Sequence, residues 1–316
     1  MGLKEIQWIQ ERSRLVFDPD RRLVAFPSHK TTVERVALEA LYPWGIAFDG
    51  THLWVTDQVS NKVTKVDVVT NATVAAVDVG DGTSAPAFPW GVAFDGKHLW
   101  VANYLLGRVS KVDVTSNAVV GSVTVGQNPA GVAFDGSYVW VTNSGGNSLS
   151  KIAVATDSVV AEVSGGGFPV AVAFDGNYMW VANNGSGNLS KIDAETNAVV
   201  ATVEAGPQPW ALIFDGAHIW VADRQVGAVK VDAANNVAVA TVPARNCDAL
   251  TFDGQFVWVR NGRFVSKIDS VTNAVTANLG VDEFPASLAF DGTHVWVASK
   301  KSFSKFPAFE RVWRRG

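Results

Sequence analysis

Gly91-Val92-Ala93-Phe94-Asp95-Gly96-Lys97-His98-Leu99-Trp100-Val101-Ala102-Asn103 is the stretch whose reading decides the fold. A short apolar run leads into Asp95-Gly96, and a segment rich in β-branched and aromatic residues leads out. Glycine tolerates positive φ and aspartate bonds to its own backbone, so Asp-Gly between two such runs signals a tight turn between strands. Phe-Asp-Gly recurs at Phe48, Phe94, Phe134, Phe174, Phe214, Phe252 and Phe290, at spacings of 46, 40, 40, 40, 38 and 38 residues. Four residues after each glycine comes a tryptophan: Trp54, Trp100, Trp140, Trp180, Trp220, Trp258 and Trp296. A fixed period of this length marks a solenoid or a propeller.

The rest of each unit supplies two further strands. In the second copy these are Val109 to Asp113 and Val119 to Val125, bounded by Asn103 and Gly107. Neither a helical period nor a long apolar run interrupts the pattern, so the chain reads as all-β. Four strands per repeat make a propeller blade. Val139-Trp140-Val141-Thr142-Asn143, followed by Leu149-Ser150-Lys151-Ile152 and later by Pro and Ala-Phe-Asp-Gly, resembles the YVTN-type β-propeller repeat. Wider similarity extends to NHL-type propellers and to the streptogramin (virginiamycin B) lyases. The resemblance covers residues 31–308 and implies the fold; activity does not follow, because such folds host enzymes, binders and scaffolds alike.

The 316 residues therefore divide into an N-terminal extension (1–30), a propeller (31–308) and a tail (309–316). Leu3 to Arg14 predicts a short helix, and Ser13 to Phe26 a worn hairpin with Phe17-Asp18-Pro19 in place of Phe-Asp-Gly. Thr32 to Val36 resembles the fourth strand of a blade, while the last repeat supplies only three. Residues 31–39 are thus expected to close the last of seven blades, removing open sheet edges. The alternative is eight blades, with the hairpin as a partial blade and Phe309 to Trp313 completing the seventh.

With 26 basic and 30 acidic residues, the charge argues against nucleic-acid or membrane partners. A monomer is expected. The single Cys247 excludes an internal disulfide framework. The N-terminus as written lacks an apolar signal core, which predicts a cytoplasmic chain, with an exported origin open for a trimmed one.

Residues that repeat belong to the scaffold and must be subtracted before chemistry is sought. His52, His98, His218 and His294 share one repeat position with Tyr138, Tyr178 and Phe256, which reads as a planar ring packed between blades, a metal or catalytic role being the rival. Lys65, Lys111, Lys151, Lys191, Lys230, Lys267 and Lys305 also recur, five of them in Lys-x-Asp, and read as a solvated strand face. Strand two ends in Asp57, Asn103, Asn143, Asn183, Asp223, Asn261 and Ser299. These either cap their own turns or ring the channel mouth as ligands for Ca²⁺ or Mg²⁺; no cofactor is otherwise implied.

Function is sought where the blades differ. The position after the proline that opens strand one reads Trp44, Trp90, Ala130, Val170, Trp210, Asp248 and Ala286. One buried slot would not take both Trp and Asp, since truncating a buried Trp costs about 3–5 kcal/mol. The position is therefore expected at the channel mouth, where Trp44, Trp90 and Trp210 form a stacking wall or pack over neighbouring loops. Tyr104 and Arg108 of blade two, Arg224 of blade five and Asp248 of blade six add a polar rim. Blade six also carries Arg260 and Arg263, and blade seven Asp282-Glu283-Phe284 and Lys300-Lys301.

Two function classes follow. One is a non-catalytic binding or scaffold propeller taking a small molecule, a glycan or a protein at this face, or a purely structural repeat. The other is an enzyme like the streptogramin lyases, whose family uses a histidine, acidic residues and Mg²⁺ on the channel face. No histidine lies in the loops of that face here; only His29 stands outside the lattice. Cys247 beside Asp248 lacks a partner base and reads as an inert thiol.

Overall fold

The computed structural model describes residues 15–17, 23–25, 34–38, 40, 42–83, 85–281 and 285–308. The chain divides into two units, residues 1–33 and 34–316. In the first, Leu15–Phe17 pairs antiparallel with Leu23–Ala25, the hairpin expected there. The helix expected over 3–14, His29, the loop 282–284 and the segment 309–313 lie outside the described residues.

The second unit is all-β, with seven antiparallel sheets of four strands and no helix among the described residues. In blade two the strands are Pro89–Phe94, His98–Asn103, Arg108–Asp113 and Ala118–Thr124, hydrogen-bonded in chain order. Strand one of each blade packs on strand one of the next, and that of blade seven on that of blade one, so the blades close around a central channel. Blade seven takes Pro285–Phe290, His294–Ser299 and Ser302–Pro307 from the end of the chain. Its outer strand is Glu34–Ala37, in register from Glu34 opposite Lys305 to Ala37 opposite Ser302. The expected closure is found, and the eight-blade alternative falls because the outer place of the seventh sheet is taken.

Tryptophan holds the blades together. All seven strand-two indoles are at most 1% exposed. Each donates its Nε1–H to Oδ2 of the aspartate in its own Asp-Gly turn at 2.6–2.8 Å. This satisfies the polar edge of a ring otherwise sunk in apolar surroundings. The face of the ring meets the following blade: Trp54 packs with Val92, Leu99 and Val101, and Trp296 of blade seven with Leu53, Val55 and Val66 of blade one.

The lysines overturn the solvated-face expectation. Lys65, Lys111, Lys151, Lys191, Lys230 and Lys305 are only 5–8% exposed. Their ammonium groups lie over the strand-two tryptophans, 4.5–5.4 Å from the ring centroids, and cross to the next blade. Lys65 donates to the Val114 carbonyl at 2.7 Å and to Asn117 Oδ1 at 3.1 Å. Lys305 does the same to Val68 and Asn71, tying blade seven to blade one. The turns that receive these bonds need a residue at positive φ: Asn71 (60°), Asn117 (55°) and Asn197 (63°). Asparagine tolerates that conformation and, unlike glycine, also offers an acceptor. At the ring position, Tyr138, Tyr178 and Phe256 lie 4.0–4.2 Å beneath lysine ammoniums. The histidines there are 13–36% exposed and sit 3.4–3.6 Å from the turn aspartates.

Candidate functional site

One end of the ring is where strand one begins, and there the loop entering strand one meets the loop after strand two. Backbone bonds join the two loops, as in Gln58 N–H to the Tyr42 carbonyl, Tyr104 to Phe88 and Arg224 to Gln208. The ladder between strands one and two is interrupted between Pro43 and Ile46, between Pro89 and Val92, and between Pro209 and Ala211. Such an interruption re-aims side chains, and it falls on Trp44, Trp90 and Trp210. The glycine behind each of the first two tryptophans is required by close approach: a Cβ on Gly45 would collide with the Trp90 carbonyl, and one on Gly91 with that of Ala130.

The three tryptophans, from blades one, two and five, converge at the mouth. The Trp44 ring stands edge-on to Trp90 at 5.0 Å and to Trp210 at 6.4 Å. Trp90 stacks on Tyr104 at 4.8 Å, and Phe88 lies 6.1 Å from both. All three tryptophans are half-buried, and beneath them the channel holds a cavity of about 190 Å³ lined by strand-one residues of every blade. The rings pack on one another, and Trp90 also on Tyr104 and Phe88 of the adjoining loops, as the packing alternative for this slot had it.

Charge gathers beside the rings. The Arg224 guanidinium covers Trp210 at 3.8 Å and donates from Nε and Nη2 to Asp248 Oδ2 at 3.1 and 2.9 Å. Arg260 Nη1 donates to both Asp248 oxygens at 2.8 and 2.9 Å. The Asp248 side chain is 4% exposed, so its charge is balanced by two arginines, and the trio carries a net positive charge. Six of the seven residues expected at the mouth thus come together: Trp44, Trp90, Trp210, Tyr104, Arg224 and Asp248. Arg108 stands apart, with Nη2 3.9 Å from Asp81 and Nε buried without a partner.

Arg260, Gln58, Tyr42 and Lys300 also belong to this end, bounding with Trp44 a second cavity of about 300 Å³ between blades seven and one. A signal for Arg260 was present: its slot otherwise holds Thr56, Ala102, Thr142, Ala182, Ala222 and Ala298. The slot after strand two varies equally, as Gln58, Tyr104, Ser144, Asn184, Arg224, Gly262 and Lys300. In blades three and four it serves the scaffold, Ser144 and Asn184 donating to the carbonyls of Pro169 and Pro209.

The strand-two terminal residues bond mainly within their own blades, although Asn103 Oδ1, Asn143 Oδ1 and Ser299 Oγ are buried without a partner among the described residues. Asp57 accepts from the Tyr42 and Val59 amides and the Ser60 hydroxyl; Asp223 accepts from Gln208, Gln225 and Val226 amides. Asn103, Asn143, Asn183 and Asn261 donate to serine hydroxyls on strand three. Among the described residues no three His, Cys, Asp or Glu side chains gather as a metal site. Cys247 is fully buried, and burial, with the Asp248 charge, pushes its thiol up, away from the reactive thiolate. The lattice histidines follow the Asp-Gly turns at the opposite end of the blades.

No family model matches the chain. No curated protein matches it either. Among solved structures it is similar to Kuenenia stuttgartiensis hydrazine synthase, with a TM-score of 0.75, 19% identity, and coverage of 86% of this chain and 97% of that one. It is also similar to a streptogramin B lyase, with a TM-score of 0.73, 16% identity, and coverage of 87% and 96%. At these identities the likeness is one of fold.

Proposed function

We propose that this chain is a non-catalytic binding propeller, of YVTN-type repeat, that takes a small molecule, a glycan or a protein segment at the channel mouth. The observation that carries this reading is convergence: the side chains that depart from the repeat on blades one, two, five and six meet at one place. Aromatic faces beside a few fixed polar groups are the usual composition of a ligand site. A monomer without nucleic-acid or membrane partners fits the formal net charge of −4. The fold likeness to the streptogramin B lyase keeps a metal-dependent enzyme as the second reading.

A thermal-shift screen of the intact protein against glycans, planar small molecules and divalent metals tests the proposal. The expected result is a stabilisation that Trp44→Ala and Trp90→Ala abolish. Stabilisation insensitive to both variants would overturn it, and a hit confined to Mg²⁺ or Mn²⁺ would favour the lyase reading.

A further inference from the structure

The cavity between blades seven and one has a composition of its own. Its volume of about 300 Å³ sits at the small end of ligand pockets. Trp44 and Pro285 supply flat apolar surface, and Tyr42, 56% exposed, stands at the rim. Trp44 is held in place from behind by Trp90 and Trp210, so this wall is preorganised.

The polar groups are cationic or donor-bearing. Lys300 lies over the Tyr42 ring at 5.3 Å and has no carboxylate partner among the described residues. Arg260 gives Nη1 to Asp248 and keeps a buried Nε without a partner. Gln58 is only 8% exposed, lines the cavity, and its carboxamide has no protein partner among the described residues. With no protein bond to give up, that carboxamide can turn its N–H toward a ligand in the cavity. Among the described residues, Asp248 is already engaged by two arginines and Asp57 by backbone amides and Ser60.

Resting on the binding reading above, the geometry points to a small organic anion with a flat apolar body, such as an arylcarboxylate, as the ligand of this cavity. The ring lies against Trp44 and Pro285. The carboxylate meets Lys300 and Arg260, with the Gln58 amide N–H as a further donor. The lysine supplies charge rather than fixed geometry, so its contribution is salt-sensitive.

Calorimetric titration of the full chain with phenylacetate, phenylacetamide and phenethylamine, which share a ring and differ in charge, tests this. Phenylacetate is expected to bind at least about tenfold more tightly than the amide, with the amine weakest. Lys300→Met should weaken phenylacetate about five- to tenfold and leave phenylacetamide unchanged, and Trp44→Ala should weaken both. Equal affinity for acid and amide, or preference for the amine, would overturn the anion assignment while leaving the mouth as a binding face. Absence of binding by all three at 10-millimolar order would also overturn it, and the binding reading would then stand or fall on the other ligands of the thermal-shift screen and on protein segments.

Discussion

The two ends of each blade contrast. At the Asp-Gly end every blade repeats one solution: an aspartate that takes the indole N–H, a tryptophan pressed on the next blade, and, one strand further out, a lysine that crosses to the next turn. At the channel mouth the blades diverge, and one slot holds Trp, Ala, Val and Asp. Repetition is what a closed ring demands, because each interface must serve the same rotation. The departures from that repetition in the entry slot and the slot after strand two fall at the other end. On the proposed reading, stability and binding are separated in space, and substitutions can test that separation.

The largest expected effect comes from breaking the ring itself. Deleting residues 34–37 removes the outer strand of blade seven and exposes the Ser302–Pro307 edge. Aggregation, or a large fall in thermal midpoint, is expected by size-exclusion chromatography and calorimetry; an elution volume and midpoint equal to those of the intact chain would break the closure account. Next is the polar trio at the mouth. Asp248→Ala leaves Arg224 and Arg260 facing one another without their shared carboxylate and should cost about 1–3 kcal/mol by denaturant titration. Adding Arg260→Ala should recover part of that loss, and strict additivity of the two would deny the coupling.

A pair of lysines sharpens the contrast. Lys65→Met keeps the stem over Trp54 but removes two bonds to the next blade, and should cost about 1–2 kcal/mol. Lys300→Met at the mouth should leave stability unchanged within about 0.5 kcal/mol. The smallest effect is pH dependence. Burial pushes the Asp49, Asp95 and Asp291 carboxyls up, but the indole N–H and turn amides outweigh it and hold them below the ordinary 3.8. With the folded value depressed, their contribution is complete above the unfolded value and is lost as pH falls through the folded one. The thermal midpoint should therefore stay level from neutrality to about pH 5 and drop below about pH 4.

The scaffold was legible because its signals are local. Asp-Gly turns, the tryptophan four residues later and the missing fourth strand of the last repeat each need only one blade to be read. The lysines were misread for the opposite reason: Lys-x-Asp alternates like a solvated strand, and the carbonyl that receives Lys65 lies 49 residues on. At the mouth, the variable slots identified most of the cluster. What the pattern did not show was which blades meet. Trp44 and Trp210 touch only because the ring closes, and Arg260 stood out from its alanine and threonine equivalents without revealing that Asp248 was its partner.

The most direct test of the division between scaffold and site compares two tryptophans. Trp140 is fully buried between blades, whereas Trp90 is half-buried at the mouth. In thermal and denaturant unfolding of the intact chain, Trp140→Ala should lose about 3–5 kcal/mol, and Trp90→Ala about 1 kcal/mol or less while abolishing ligand-induced stabilisation. Equal losses for the two variants, or a larger one for Trp90→Ala, would contradict the account.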